Sequence, residues 1–350
     1  MGPIAKVAGR ISGGLIACLS FYMLSGVSHA QSPEEFYHGK TVSLIVSSDV
    51  GGGYDALSRI TARNMIKHVP GQPNIVVRNM PGAGGIRAPN YVYSVAEKDG
   101  TVFSLMQNTI PLEPLAGNKA ATFDPLKLLW LGSPNVEMGL LMVWHTKGVR
   151  TLEQMLATEL TVGVPAAAST PAYNTRLLNQ VLGAKLKLIP GYPGSNASLL
   201  AMEKGEVDAY PHFYTSMMQS RPTWMRDKQI YVVAQWGPYK EKNLPDVPFL
   251  PDVVKDPEKL ALLNVASASF ALGRPFMMPP GVPPERLAVM RKALFATFND
   301  PAFADDAQKI SFGDLAPQTG EQIEKIIRDV YASPPHIVEQ FRVIATGESK

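Results

Sequence analysis

The sequence predicts an α/β protein built as two doubly wound lobes around a ligand cleft. Three observations lead there. Short apolar runs rich in β-branched residues, such as Thr41–Val46, alternate with amphipathic stretches. The alternation occurs twice, first across residues 41–106 and again across 139–234. Loops of glycine and other small residues follow the strands in both halves, where a doubly wound sheet binds its ligand.

The bulk numbers suit such an architecture. A chain of 350 residues is long enough for two domains, and 45% hydrophobic with 18% charged residues fills an ordinary core. The first thirty residues differ. Lys6 and Arg10 precede an apolar stretch over 11–27, and Ser28-His29-Ala30 is a small-x-small cleavage site. Residues 1–30 are therefore predicted to be a secretory signal peptide cut after Ala30. An uncleaved anchor is one alternative. Lipidation at Cys18 is another, since Leu15-Ile16-Ala17-Cys18 resembles a lipobox. Cys18 is the single cysteine, so cleavage leaves no disulfide, thiol nucleophile or cysteine metal site. Losing Lys6 and Arg10 takes two positive charges from a net +3, which argues against a nucleic-acid binder.

The first lobe opens with a strand over Thr41–Val46. Residues 47–53 break it with two serines, an aspartate and three glycines, and a helix follows with Leu57, Ile60 and Ile66 on its apolar side. Such a turn lets backbone approach a ligand and aims N–H groups and a helix dipole at an anion. The alternative is a tight turn whose glycines satisfy geometry alone. A proline-rich turn at 68–73 precedes a strand at 74–77. Pro81-Gly82-Ala83-Gly84-Gly85 is a second glycine-rich loop, before a helix at 86–96 and a strand at 101–106. Right-handed crossovers put both loops, and Gln107-Asn108-Thr109, on one sheet edge.

Strands at 128–131 and Gly139–Trp144 lead onward. A helix at 151–156, a strand at Leu160–Val164, a small-residue loop and a helix at 171–182 follow. Thr170 is the expected N-cap, with Pro171 at the first helical position. Strands at 185–189, 206–210 and 229–234 complete this half. Between them lie the loop 191–196 and a helix at 197–204. His212 and Tyr214 fall in a loop just after the 206–210 strand, facing the cleft. The stretch 238–257 is a proline-rich surface crossover, and 270–278 is strand-like. Leu287, Met290, Leu294 and Phe298 form one core-facing helical stripe, and Ile323, Ile326, Ile327 and Val330 another.

Several chemistries lack a motif. There is no nucleophile elbow, Walker A loop or His-Glu-x-x-His. Gly82-Ala83-Gly84-Gly85 departs from the dinucleotide fingerprint, and the six histidines show no metal-ligand spacing. No catalytic residue, cofactor or metal site is expected. A hydrolase using the same cleft would need a base and nucleophile that the sequence does not pair.

The runs GGGYDALSRITARNM, NIVVRNMPGAGGIRAPNYV, KDGTV, GYPGSNASLLAMEKGEVDAY, LPDVPFL and PPGVPPERL resemble, in order and over nearly all of the chain after residue 30, the receptors of tripartite tricarboxylate transporters, or Bug receptors. The resemblance implies a non-enzymatic periplasmic solute-binding protein of the two-lobed type II class. It implies a small organic carboxylate held largely by loop N–H groups and waters, and delivery to a membrane permease. Signalling to a partner protein is the alternative output. Lobe one is assigned to 36–138 plus 262–350 and lobe two to 139–261, in a chain acting as a monomer. The expected ligand-binding set in lobe one is Ser48, Asp49, Gly51, Gly52, Gly53, Tyr54, Asn108 and Thr109. In lobe two it is Ala167, Ala168, Ser169, Thr170, His212 and Tyr214. Two features depart from the family pattern. Asp49 and Val50 stand where relatives carry small residues or proline, so Asp49 either repels an anion, meets a ligand ammonium or caps a turn. Pro165-Ala166-Ala167-Ala168-Ser169 holds less glycine than usual, and Pro165 lacks a donor.

Overall fold

Strand β1 (Thr41–Val46) is buried along all but its first residue and is paired on both sides in the first sheet. The computed structural model describes residue 2 and residues 31–165, 169–310 and 312–347. The chain divides into Met1–Ser32 and Pro33–Lys350, and everything below concerns the second unit. The predicted leader with Cys18, and the loop residues Ala167 and Ala168, lie outside the described residues.

In order, the first half contains α1 (Pro33–Tyr37), β1, α2 (Gly53–Met65), β2 (Asn74–Asn79), α3 (Arg87–Ser94), β3 (Val102–Leu105) and β4 (Leu129–Ser133). The middle contains β5 (Gly139–Trp144), α4 (Leu152–Ala157), β6 (Leu160–Val164), α5 (Thr170–Leu182), β7 (Leu186–Pro190), α6 (Ser195–Glu203), β8 (Ala209–Phe213), α7 (Tyr214–Ser220) and β9 (Ile230–Trp236). The chain then returns through α8 (Leu250–Val253), α9 (Pro257–Leu272), β10 (Phe276–Met278), α10 (Pro284–Phe298), α11 (Pro301–Lys309), β11 (Gln318–Thr319), α12 (Gly320–Tyr331) and α13 (Pro335–Thr346).

Two mixed sheets result. The first has the order β11-β4-β10-β3-β1-β2, with β1, β2 and β3 parallel and β10 antiparallel to β3 and β4. The second has the order β7-β6-β8-β5-β9, with β6 parallel to β7 and β8 and β5 antiparallel to β8 and β9. Within each parallel set the C-terminal ends share one edge. Helices cover both sheets. Phe103, Phe276, Phe298 and Phe303 form a chain of ring contacts at 5.4–6.2 Å under the first sheet. Phe213, Phe270 and Trp236 form another at 5.2–6.0 Å at the second. Burying such a side chain stabilises the fold by about 1.5–3 kcal/mol.

Two elements differ from the sequence reading. Residues 270–272 end helix α9 instead of opening a strand, and only Phe276–Met278 is extended. Helix α9 is apolar on nearly every face, so it has no polar stripe to betray a helical period. Strand β8 begins at Ala209, which places His212 within the strand, opposite Leu140 of β5, instead of in a following loop. β8 pairs with β6 only at Ala209, so beyond it one side carries no ladder and tolerates Pro211.

Candidate functional site

The C-terminal edges of the two parallel strand sets converge on one cavity of about 650 Å3. From the first sheet it receives Gly84, after β2, and Gln107, Thr109 and Glu113, after β3. From the second it receives Pro165, Ser169 and Thr170 after β6, Gly194 and Ser195 after β7, and the Tyr210–Phe213 end of β8. This is the position in which an open α/β sheet binds a ligand, now supplied from two sides.

The loop after β1 is held by a buried carboxylate. Asp55, in the first turn of α2, is 3% exposed. Its Oδ2 accepts from the Gly51 N–H at 2.9 Å and from Arg59 Nε at 3.0 Å. Its Oδ1 accepts from Arg59 Nη2 and from Asn79 Nδ2, each at 2.9 Å. Asn79 also donates to the Ser48 carbonyl at 3.0 Å, tying the loop to the end of β2. Burial opposes ionisation of Asp55, but the donors Arg59, Gly51 and Asn79 outweigh it and hold its carboxyl below the usual range. Asp49 is exposed, and no hydrogen bond to its carboxylate is seen among the described residues. Its carbonyl accepts from Ser48 Oγ at 3.4 Å. Gly52 is the N-cap of α2 and supplies no side-chain cap. A side chain at Gly53 would meet open space. None of Ser48, Asp49, Gly51, Gly52 and Gly53 is among the residues lining the cavity.

The loop after β3 is set by packing. Gly85, at φ +98°, lies so close to Gln107 that a Cβ would sit 2.9 Å from Nε2. The Gln107 N–H donates to Ser47 Oγ at 3.2 Å. Asn108 donates from its N–H to the Tyr54 hydroxyl at 3.2 Å and from Nδ2 to the Ser269 carbonyl at 2.9 Å. The Tyr54 ring packs beneath the Arg274 guanidinium at 4.4 Å. Asn108 and Tyr54 thus serve the loop's own architecture, while Thr109 reaches the cavity.

On the second side, α5 starts at Thr170 with Ser169 in the cap position, one residue earlier than the sequence spacing suggests. Ser169 and Thr170 both line the cavity, with the buried Asn174 one turn on. His212 lines it too, in edge contact with Tyr210 at 5.4 Å. Burial lowers the His212 pKa to about 4, so the ring is neutral near pH 7 and offers one donor and one acceptor. Burial likewise raises the pKa of Tyr210. Among the described residues the buried Tyr210 hydroxyl and Asn174 Oδ1 make no hydrogen bond, although Ser195 and Ser198 lie beside Tyr210. Tyr214 stands outside the lining, its hydroxyl accepting from Asn243 Nδ2 at 3.2 Å. Tyr192 covers Gly163, where a Cβ would fall 2.8 Å from the ring, so it packs on β6.

Thr109, Ser169, Thr170 and His212 are therefore brought together from the expected set. Gln107, Glu113, Asn174, Ser195 and Tyr210 join them without having been singled out as site residues. Gln107 and Ser195 lay in post-strand loops visible in the sequence, whereas Asn174 and Glu113 belong to no motif. Glu113 is the one charged side chain lining the cavity among the described residues. No group of three or more His, Cys, Asp or Glu among them could hold a metal ion, and no helix among them is long and apolar enough to cross a membrane.

The family model described as tripartite tricarboxylate transporter family receptor matches residues 57–343. The chain belongs to this receptor family. The receptor is 24% identical over 325 residues to the UPF0065 protein in the gbd 5′ region of Cupriavidus necator, covering 89% of this chain and 90% of that protein. It is 24% identical over 288 residues to BugT of Bordetella pertussis, covering 79% and 82%. Among solved structures, a TctC solute-binding protein from Polaromonas superposes with a TM-score of 0.71 at 19% identity, over 89% of the receptor and 100% of that chain. MatC of Rhodopseudomonas palustris, solved with bound malate, does so at 0.57 and 17% identity, over 87% and 99%. A second R. palustris protein, solved with adipate, does so at 0.58 and 18%, over 87% and 96%. The receptor thus has the periplasmic-binding-protein fold of type II, with two α/β lobes around a cleft, and is a substrate-binding receptor by family.

Proposed function

We propose that the receptor captures a small organic carboxylate in the periplasm and presents it to the membrane permease of a tripartite tricarboxylate-type transporter. The observation that carries this reading is the cavity at the joined strand ends, walled by hydroxyls, amides and a neutral imidazole. Such groups hold an anion by hydrogen bonds without a basic side chain. The malate and adipate held by two structural relatives support the ligand class.

In this proposal the carboxylate meets Thr109, Ser169, Thr170 and His212, with the amides of Ala167 and Ala168. The first loop adds rim donors when the lobes close. Gly51 has given its N–H to Asp55, which leaves the uncapped start of α2 at Gly52 and Gly53 as the available part. Ser48, Asp49, Tyr54, Asn108 and Tyr214 complete the rim. Residues 36–138 plus 262–350 move as lobe one and 139–261 as lobe two, about a hinge near residues 135–140 and 255–265. The mature protein begins after Ala30 and works as a monomer without enzymatic chemistry.

A thermal-shift screen of organic acids tests the ligand class. A ligand at about 100 times its Kd adds roughly 2.7 kcal/mol to the folded state. Stabilisation by small carboxylates, and not by neutral or cationic compounds lacking a carboxylate, is expected. A panel with no carboxylate hit would overturn the reading.

A further inference from the structure

The one charged side chain lining the cleft is an acid, which a pure polycarboxylate would have to tolerate. Glu113 closes the short turn Ile110–Leu112 after β3 and is half-buried. Its Oε2 accepts from Asn118 Nδ2 at 2.8 Å, and Glu113 has no cationic partner among the described residues. A partly buried carboxylate without a counter-charge favours a ligand that brings one. Beside the main cavity lies a side pocket of about 120 Å3, and Thr109, Glu113 and Thr170 line both. These three residues border both spaces and carry two hydroxyls and a carboxylate. The remaining wall of the side pocket includes Leu112, Tyr173 and Phe341, whose apolar surface strengthens any charge interaction at Glu113.

We infer that Glu113, with Thr109 and Thr170, forms a subsite for a protonated amine, and that the preferred ligand is an amino-carboxylate. The inference rests on the carboxylate reading above and narrows it. The ligand's carboxylate meets the neutral donors of the cleft while its ammonium donates to Glu113. No bond is made or broken and no proton changes hands. The same arrangement disfavours dicarboxylates that place a second anion near Glu113.

The test is calorimetry at pH 7 on the full mature chain with matched pairs: malate and aspartate, adipate and 2-aminoadipate, propionate and alanine. The amino member of the pair that binds should win by tenfold or more. Glu113→Gln keeps an acceptor for Asn118 and removes the charge. It should weaken the amino ligand roughly tenfold to hundredfold, as for one lost charge-assisted hydrogen bond, and leave the unaminated partner equal or tighter. An unchanged Tm in Glu113→Gln shows that the fold is intact; if the Tm falls, Thr170→Val supplies the second test, again expected to penalise the amino ligand more. A preference for the unaminated member, unmoved or improved by Glu113→Gln, would overturn the amine subsite and leave the carboxylate reading standing. Binding of no pair would overturn the carboxylate reading, and this inference with it.

Discussion

Replacing Asp55 by alanine should loosen the first loop while leaving both sheets formed. The carboxylate accepts four hydrogen bonds between 2.9 and 3.0 Å, two of them from Arg59. These contacts do not add in full. The Arg59 side chain is 51% exposed and returns to water when its partner goes, so the ion pair itself contributes roughly 0.2–1 kcal/mol. The Gly51 and Asn79 donors lose charge-assisted bonds of about 1.5–3 kcal/mol each, partly recovered by water at the exposed Gly51. A net loss of about 2–3 kcal/mol follows, or roughly a 3–5 °C lower Tm for a chain of this size. Calorimetric melting of Asp55→Ala measures it, and hydrogen exchange at residues 48–53 should quicken locally. A Tm within ~1 °C of wild type and unchanged loop exchange would show that Asp55 does not hold this loop. The lowered pKa gives the pH sign. Asp55 stabilises the fold above the ordinary carboxylate range, and that contribution is lost as pH falls through its depressed value.

His212 adds a dependence of the same sign in a higher pH window, because a base kept neutral in the fold resists protonation only in the folded state. Between the ordinary imidazole value of 6.5 and about 4 the unfolded chain binds the extra proton, so stability falls as pH falls across that window, by up to about 3 kcal/mol. The dependence of Tm on pH from 7 to 4.5 should be flatter in His212→Gln; parallel profiles would refute the neutral ring. Gly85→Ala combines a φ of +98° with a Cβ 2.9 Å from Gln107 Nε2, so it should displace Gln107 and weaken ligand binding severalfold. Calorimetry showing full affinity would separate Gln107 from the site. Gly53→Val enters open space, so its Tm should stay within ~1 °C while affinity drops; intact affinity would remove the first loop from the ligand's rim. Small-angle scattering should show a smaller radius of gyration with ligand, and an unchanged radius at saturation would contradict lobe closure.

Much of the scaffold was legible because its strands are short, apolar and β-branched. Thr41–Val46, Gly139–Trp144 and Leu160–Val164 carry the same limits in sequence and structure. Helix α9 was hidden by its apolar composition, although its start was signalled. Asp256 caps it by accepting from the Glu258 and Lys259 N–H groups, and Pro257 occupies the first turn. Strand β8 was misplaced because Pro211 looks like a breaker and the missing β6 ladder beside it is a tertiary fact. The cleft was legible as an edge and less so as a surface. Post-strand loops pointed to Thr109, Ser169 and Thr170. Asp55 was invisible as a lock because its partner Asn79 arrives from another strand. Glu113 and Asn174 were invisible because only the meeting of two sheets puts them on one cavity.

The central claim is that the ligand sits at the joined strand ends of the two sheets. A crystal structure of the receptor with the tightest acid from the screen tests this most directly. The account predicts the ligand in the cavity of about 650 Å3, its carboxylate within hydrogen-bonding distance of Thr109, Ser169 or Thr170 and beside His212. A ligand seated instead in the groove between α9 and α12, or in that between Trp130 and Tyr331, with this cavity holding only water, would contradict it.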